Sequence, residues 1–252
     1  MTSFASIAAL ALLLVRPGML VLATPFFGAI YAPAYMRIGL TVVVAIILAP
    51  LVTVPQALPA TALAVVVMRE IAIGLALALA IRVLIVGAEF AGHFSGYQIG
   101  LSMGSLIDPQ TGVRNNVIAI LYANVAIVVC LATNAHHALL RALSDSYQAI
   151  PIGMGGVDAA LATHVAHMLG LVFVLGVRIA APVIVVLLLV EIALGLLARV
   201  APSLNVMTAG APVRLAVGLL IVAATVTGLP ALIGRYFPVA LELAANTARA
   251  FR

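Results

Sequence analysis

The chain has 252 residues, of which 65% are apolar and 8% charged, against roughly 45–50% and about 25% in an ordinary soluble domain. A water-soluble fold cannot cover that much apolar surface, so the composition excludes one and implies an integral membrane protein. Basic residues, every one an Arg, outnumber acidic residues and set the net charge at +5, but they stand singly along apolar runs instead of clustering on one face, which argues against a nucleic-acid partner.

Apolar runs occupy residues 4–27, 38–54, 60–88, 117–133, 159–198 and 213–233. In lipid, each must satisfy its own backbone hydrogen bonds, and a long apolar run does so as a helix. The first run has no charge before Arg16, so it lacks the basic start of a cleavable signal peptide and is expected to be retained as a membrane segment. Arg16-Pro17-Gly18 interrupts this run and Pro50 falls late in the second, which predicts discontinuous helices. The second run is near the lower length limit for spanning, whereas the third is long for a single crossing. Cys130 in the fourth run is the single cysteine, so there is no disulfide framework and no cysteine-based metal cluster. The fifth run exceeds one span of about 20 residues, and Arg178 with Pro182 predicts a break or kink inside it. After the sixth run, residues 234–252 mix apolar positions with Arg235, Glu242, Arg249 and Arg252 and read as an interfacial helix or docking tail.

These runs predict an all-α, polytopic membrane protein of six to seven helices, some broken or longer than the bilayer core, in a single domain covering residues 1–252. With six spans, Arg37, Arg114, Arg199 and Arg214 fall on one side and Arg141, Arg235, Arg249 and Arg252 on the other, so the positive-inside rule selects no orientation.

The most informative stretch lies between Ala88 and Gly112. Ala88, Gly92, Gly96, Gly100 and Gly104 recur every four residues, which on a helix makes one smooth ridge that a neighbouring backbone can approach closely. Asp108-Pro109-Gln110-Thr111-Gly112 then reads as a turn, because Pro stops a helix and Gly allows the reversal. A glycine-lined helix running into a short polar loop between apolar walls is a candidate constriction.

Ionisable residues within the apolar runs form a second class: Arg69, Glu70 and Arg82 in the third, Arg178 and Glu191 in the fifth. Each costs about 2.5–3.5 kcal/mol at the centre of a spanning helix, so each needs a partner or water. Arg69 and Glu70 project about 100° apart on a helix and cannot comfortably pair with each other. The expectation is buried ion pairs between helices or subunits, since two deep carboxylates are too few for a proton relay.

Other motifs carry less. Gly100-Leu101-Ser102-Met103-Gly104 matches the G-x-S-x-G nucleophile elbow, but that motif needs a strand before the serine, and the spacing here is helical. His164 and His167 share a helix face, with no carboxylate or cysteine placed to complete a metal site. His136 and His137 follow Asn134 at a polar connection, where interfacial hydrogen bonding is the ordinary role. No phosphate-binding loop occurs. Catalytic, metal and cofactor residues are therefore expected to be absent, and the rival to a partner-dependent membrane subunit is a stand-alone small-molecule permease with a midplane site.

Four stretches together resemble the FliR family of flagellar export-gate proteins and, more distantly, its injectisome counterparts. They are TPFFGAIYAPAYMRIGL from Thr24, GYQIGLSMGSLIDPQTG from Gly96, NAHHALLRALSDSY from Asn134 and APSLNVMTAGAP from Ala201. The Asp-Pro-Gln-Thr-Gly turn is closer to the flagellar branch, and Met207 stands where the family usually has an aromatic. The resemblance implies a non-enzymatic subunit of the bacterial inner membrane and flagellar basal body. It also implies assembly with FliP-like, FliQ-like and FlhB-like subunits around a pore for unfolded export substrates. It further implies that the stretch Met103, Gly104, Ser105, Leu106, Ile107, Asp108, Pro109, Gln110, Thr111, Gly112, Val113 and Arg114 helps close that pore, with Leu106 to Arg114 as the gate loop.

Overall fold

The computed structural model describes residues 2–27, 32–52, 60–101, 116–154, 156, 158–201 and 206–252. Among these there are seven α-helices and no strand: α1 (Thr2–Ala23), α2 (Ala34–Leu48), α3 (Ala60–Ile99), α4 (Val117–Ala132), α5 (Ala135–Ala149), α6 (Leu161–Val200) and α7 (Val206–Arg249). The protein is an all-α polytopic membrane protein. Four helices are long and apolar enough to cross a membrane, or five crossings if α4 and α5 form one bent span. At 40 residues each, α3 and α6 reach about 60 Å at 1.5 Å per residue, twice the roughly 30 Å hydrocarbon core.

Local chemistry sets the helix ends. Pro25 stands two residues after the end of α1 and opens a 3₁₀ turn, and α2 gives way to another at Ala49–Leu51, where Pro50 has no N–H to continue the α-helical ladder. Asn134, in the left-handed conformation at φ 58, bends α4 against α5 by 67°. The side chain of Asp158 accepts from Ala160 N at 3.0 Å at the start of α6.

Two expected breaks are absent. Helix α1 continues through Pro17 and α6 through Pro182, so neither proline ends its helix. In α1 the reason is visible: Pro17 cannot donate to the Leu13 carbonyl, and the Tyr147 hydroxyl donates to it instead. Residues up to Arg249 continue α7 rather than starting a separate helix.

The described residues fall into two compact units, one of residues 1–83, 130–170 and 235–252, the other of residues 84–129 and 171–234. In the first unit, Leu12, Leu13 and Leu20 of α1 pack with Val44 and Leu48 of α2, Ile73 and Leu77 of α3, and Leu143 and Tyr147 of α5. Gly74 lets α1 lie on α3, since a methyl there would stand 2.6 Å from the Arg16 carbonyl oxygen. The tail is tied to the loop after α5, with Asp158 N donating to Ala250 O at 2.8 Å and Gly156 N to Arg252 O at 3.0 Å. In the second unit, Phe90 of α3 packs on Phe173 of α6, ring centres 6.0 Å apart, and the Tyr122 hydroxyl of α4 bonds to the Thr225 hydroxyl of α7.

Candidate functional site

Gate-loop residues Met103 to Arg114, and with them Ser102 and ridge position Gly104, lie outside the described residues. The geometry on either side of them is defined. Gly100 sits at φ 94, the left-handed conformation that ends a helix at little cost only in glycine. Its N–H reaches the Gly96 and Tyr97 carbonyls at 3.2 and 3.1 Å, and Leu101 N reaches the Gly96 carbonyl at 3.1 Å. The capped last turn of α3 is thus the point from which the chain departs.

It returns at Asn116, which is buried. The Asn116 side-chain oxygen accepts from Ile118 N at 3.0 Å and Ala119 N at 3.4 Å, the capping geometry that satisfies the first free N–H groups of a helix. Its amide nitrogen donates to the carbonyls of Gly92 and His93, both at 3.2 Å. One side chain therefore starts α4 and fastens it to α3, two turns before the point where the chain left.

Glycine makes that contact possible. A methyl on Gly92 would overlap the backbone of Ala119, and one on Gly96 would overlap the Asn116 amide. Ala88, one turn earlier, is fully buried. Gly100 does not extend this packing face: a methyl there meets nothing within 4 Å, and the left-handed turn ends the helical spacing. The four-residue period had two physical sources, close approach at Gly92 and Gly96 and chain reversal at Gly100.

The ionisable residues divide differently from expectation. Glu70 is fully buried and its partner is Arg16 of α1, with Nε to Oε2 at 2.7 Å and Nη2 to Oε1 at 3.0 Å. Arg16 also donates to the Ser146 hydroxyl at 3.0 Å and the Ile150 carbonyl at 3.1 Å, and its guanidinium carbon lies 4.2 Å from the Tyr147 ring centre. This two-point geometry with further acceptors is what allows a guanidinium to be buried at all. Arg69 is also buried. Arg82 is not buried: it is exposed and donates to the Ala23 carbonyl at 2.8 Å, where a cation suits the C-terminal end of α1. Arg178 is exposed. Glu191 approaches Arg214 at 3.6 Å with the two side chains 36% and 42% exposed, a surface pair and not a core one.

Arg16 and Ser146 had no assigned role in the sequence reading. A lone Arg in an apolar run was the available signal for Arg16, but its proximity to Pro17 read as a helix interruption. The His136 and His137 rings lie tilted by 40° with centres 4.2 Å apart, and no cluster of three or more metal-ligating side chains occurs among the described residues.

Long apolar helices, a buried Arg16–Glu70 pair that joins α1 to α3, and a glycine-opened helix contact define a helical integral membrane protein whose buried polar groups hold helices together. The chain matches the family described as bacterial export proteins, family 1, over residues 7–239, and it belongs to that family. It is 29% identical over 226 residues to the flagellar biosynthetic protein FliR of Bacillus subtilis, covering 88% of this chain and 87% of that protein. To FliR of Pectobacterium carotovorum it is 30% identical over 187 residues, 73% of this chain and 71% of that one. To the Yop proteins translocation protein T of Yersinia pestis it is 26% identical over 155 residues, 61% and 59% of the two chains. The chain is a membrane-embedded component of the type III export-gate class.

Proposed function

We propose that this chain is a non-enzymatic subunit of the flagellar type III export gate in the bacterial inner membrane, part of the flagellar basal body. With FliP-like and FliQ-like partners, and an FlhB-like subunit beside them, it forms the pore through which unfolded flagellar proteins cross. The observation that carries this reading is the paired anchorage around residues 101–115. Gly100 and Asn116 both bond to carbonyls between Gly92 and Tyr97, so the described residues on either side of a polar stretch rich in turn residues are both fastened to the last turns of α3. Such a stretch suits a plug better than a structural connection. An injectisome export gate is the second reading, favoured by the similarity to the Yersinia translocation protein.

The direct test is purification of the tagged chain in mild detergent from cells expressing the other gate subunits, with mass spectrometry of what remains bound. FliP-like and FliQ-like subunits in fixed proportion are the expected result. A chain recovered alone, and active in solute uptake after reconstitution by itself, would indicate a permease instead.

A further inference from the structure

The unit that holds the Arg16–Glu70 pair also contains a groove of about 500 Å³ to which the gate reading gives no role. One wall is α5 and the other is the last part of α7, from Pro238 to Arg249. Each wall presents one base and one acid: Arg141 and Asp145 on α5, Glu242 and Arg249 on α7. All four are exposed. Among the described residues, neither Asp145 nor Glu242 enters an ion pair, and Arg249 turns to its own helix, bonding Asn246 at 3.3 Å. Between the walls lie Ala142, Ala149, Ala245 and Ala248, with the larger Leu77 and Leu241 beside them.

Opposite charges that share a groove without closing on each other leave room for an occupant that carries both signs. We infer that this groove receives an amphipathic helix of a partner subunit, bringing a carboxylate to an arginine and a basic group to Asp145 or Glu242. The alanines admit a helix at close range, and Leu77 and Leu241 offer its apolar face a contact. A peptide of one sign would meet two like charges, which complementary interfaces exclude, and lipid chains would lay hydrocarbon against ionised groups. Ser146 and Ile150 line the groove and also accept hydrogen bonds from Arg16, so the occupant would rest on the turn of α5 that holds the buried pair. This rests on the reading of the chain as one subunit of a larger gate and adds the surface that a partner takes.

The test uses the full chain co-expressed with its FliP-like and FliQ-like partners. A benzophenone amino acid is placed at Ala142 or Ala245, with a control at Ile46, which is 65% exposed on α2. Ala142 and Ala245 are expected to crosslink to the same partner subunit. Asp145→Arg combined with Glu242→Arg should lower that yield roughly tenfold, since like charges reject the partner, and these exposed positions leave folding intact, checked by unchanged gel-filtration elution. Crosslinks only to phospholipid, yields unaltered by the charge reversals, or no crosslink while both partners still co-purify would overturn the inference and leave the gate reading standing. Loss of all partners from the wild-type preparation would overturn both.

Discussion

The hydroxyl of Tyr147 donates to the carbonyl of Leu13 at 3.3 Å, taking the place of the N–H that Pro17 lacks four residues further on. The same ring lies beneath the Arg16 guanidinium. Tyr147→Phe keeps the ring and removes the donor, so it should cost about 1–3 kcal/mol, the range for stranding a buried acceptor. Denaturant titration of the detergent-solubilised chain measures it; an unchanged midpoint would show that the carbonyl needs no substitute donor.

The Arg16–Glu70 pair should respond asymmetrically to single and double replacement. Glu70→Gln or Arg16→Leu leaves one group buried without its counter-charge and should cost about 3–5 kcal/mol. Replacing both with leucine should cost less than the sum of the two single changes. A double-mutant cycle on unfolding free energy decides, and simple additivity would mean that the two side chains do not depend on each other.

Glycine replacements along α3 should divide by mechanism. Gly92→Ala and Gly74→Ala push a methyl into backbone and should each lower stability by roughly 1–3 kcal/mol, as overpacking does. Gly100→Ala meets open space and pays only for its backbone conformation, on the order of 1 kcal/mol. Gly39→Ala, also in open space but within α2, should be neutral or slightly stabilising. Folded yield and melting temperature across the series would test the division, and a uniform response would contradict it.

Deleting Leu106 to Arg114 should raise leakage of ions or small solutes through the assembled gate while the partner subunits still co-purify. Membrane permeability in cells carrying the deletion is the measurement. An assembled deletion variant with normal permeability would remove the plug assignment.

Much of the fold was legible because lipid imposes a single solution on long apolar runs: α1, α2, α3, α4, α6 and α7 each overlap one, with α3 and α7 extending well past theirs. Helix α5 was not, since its polar face carries Arg141, Ser144, Asp145 and Gln148. The spacing of Ala135, Leu139, Leu143 and Tyr147, all buried, was the signal that an apolar-run search passes over. The interruption at Pro17 was overcalled because the Tyr147 hydroxyl, distant in sequence, takes up the Leu13 carbonyl that the proline frees, whereas Pro50 does mark the end of α2. Partners were illegible for the same reason: composition identifies Glu70 as a residue in need of a cation but cannot say that Arg16 supplies it. Within the single chain Arg82 and Arg178 lie exposed and Glu191 partly so, since position in an apolar run fixes depth along a helix but not which way the side chain faces.

The clasp formed by Gly100 and Asn116 also bears on how this region can diversify. Departure and return draw on neighbouring turns of one helix, so the span to be bridged is short and set by α3 alone. Closing a longer excursion over a fixed short span costs only about 0.6 kcal/mol per doubling of length. Replacing residues 101–115 by inserts of other lengths should therefore leave α3 and α4 in register, provided that the two clasp residues are kept.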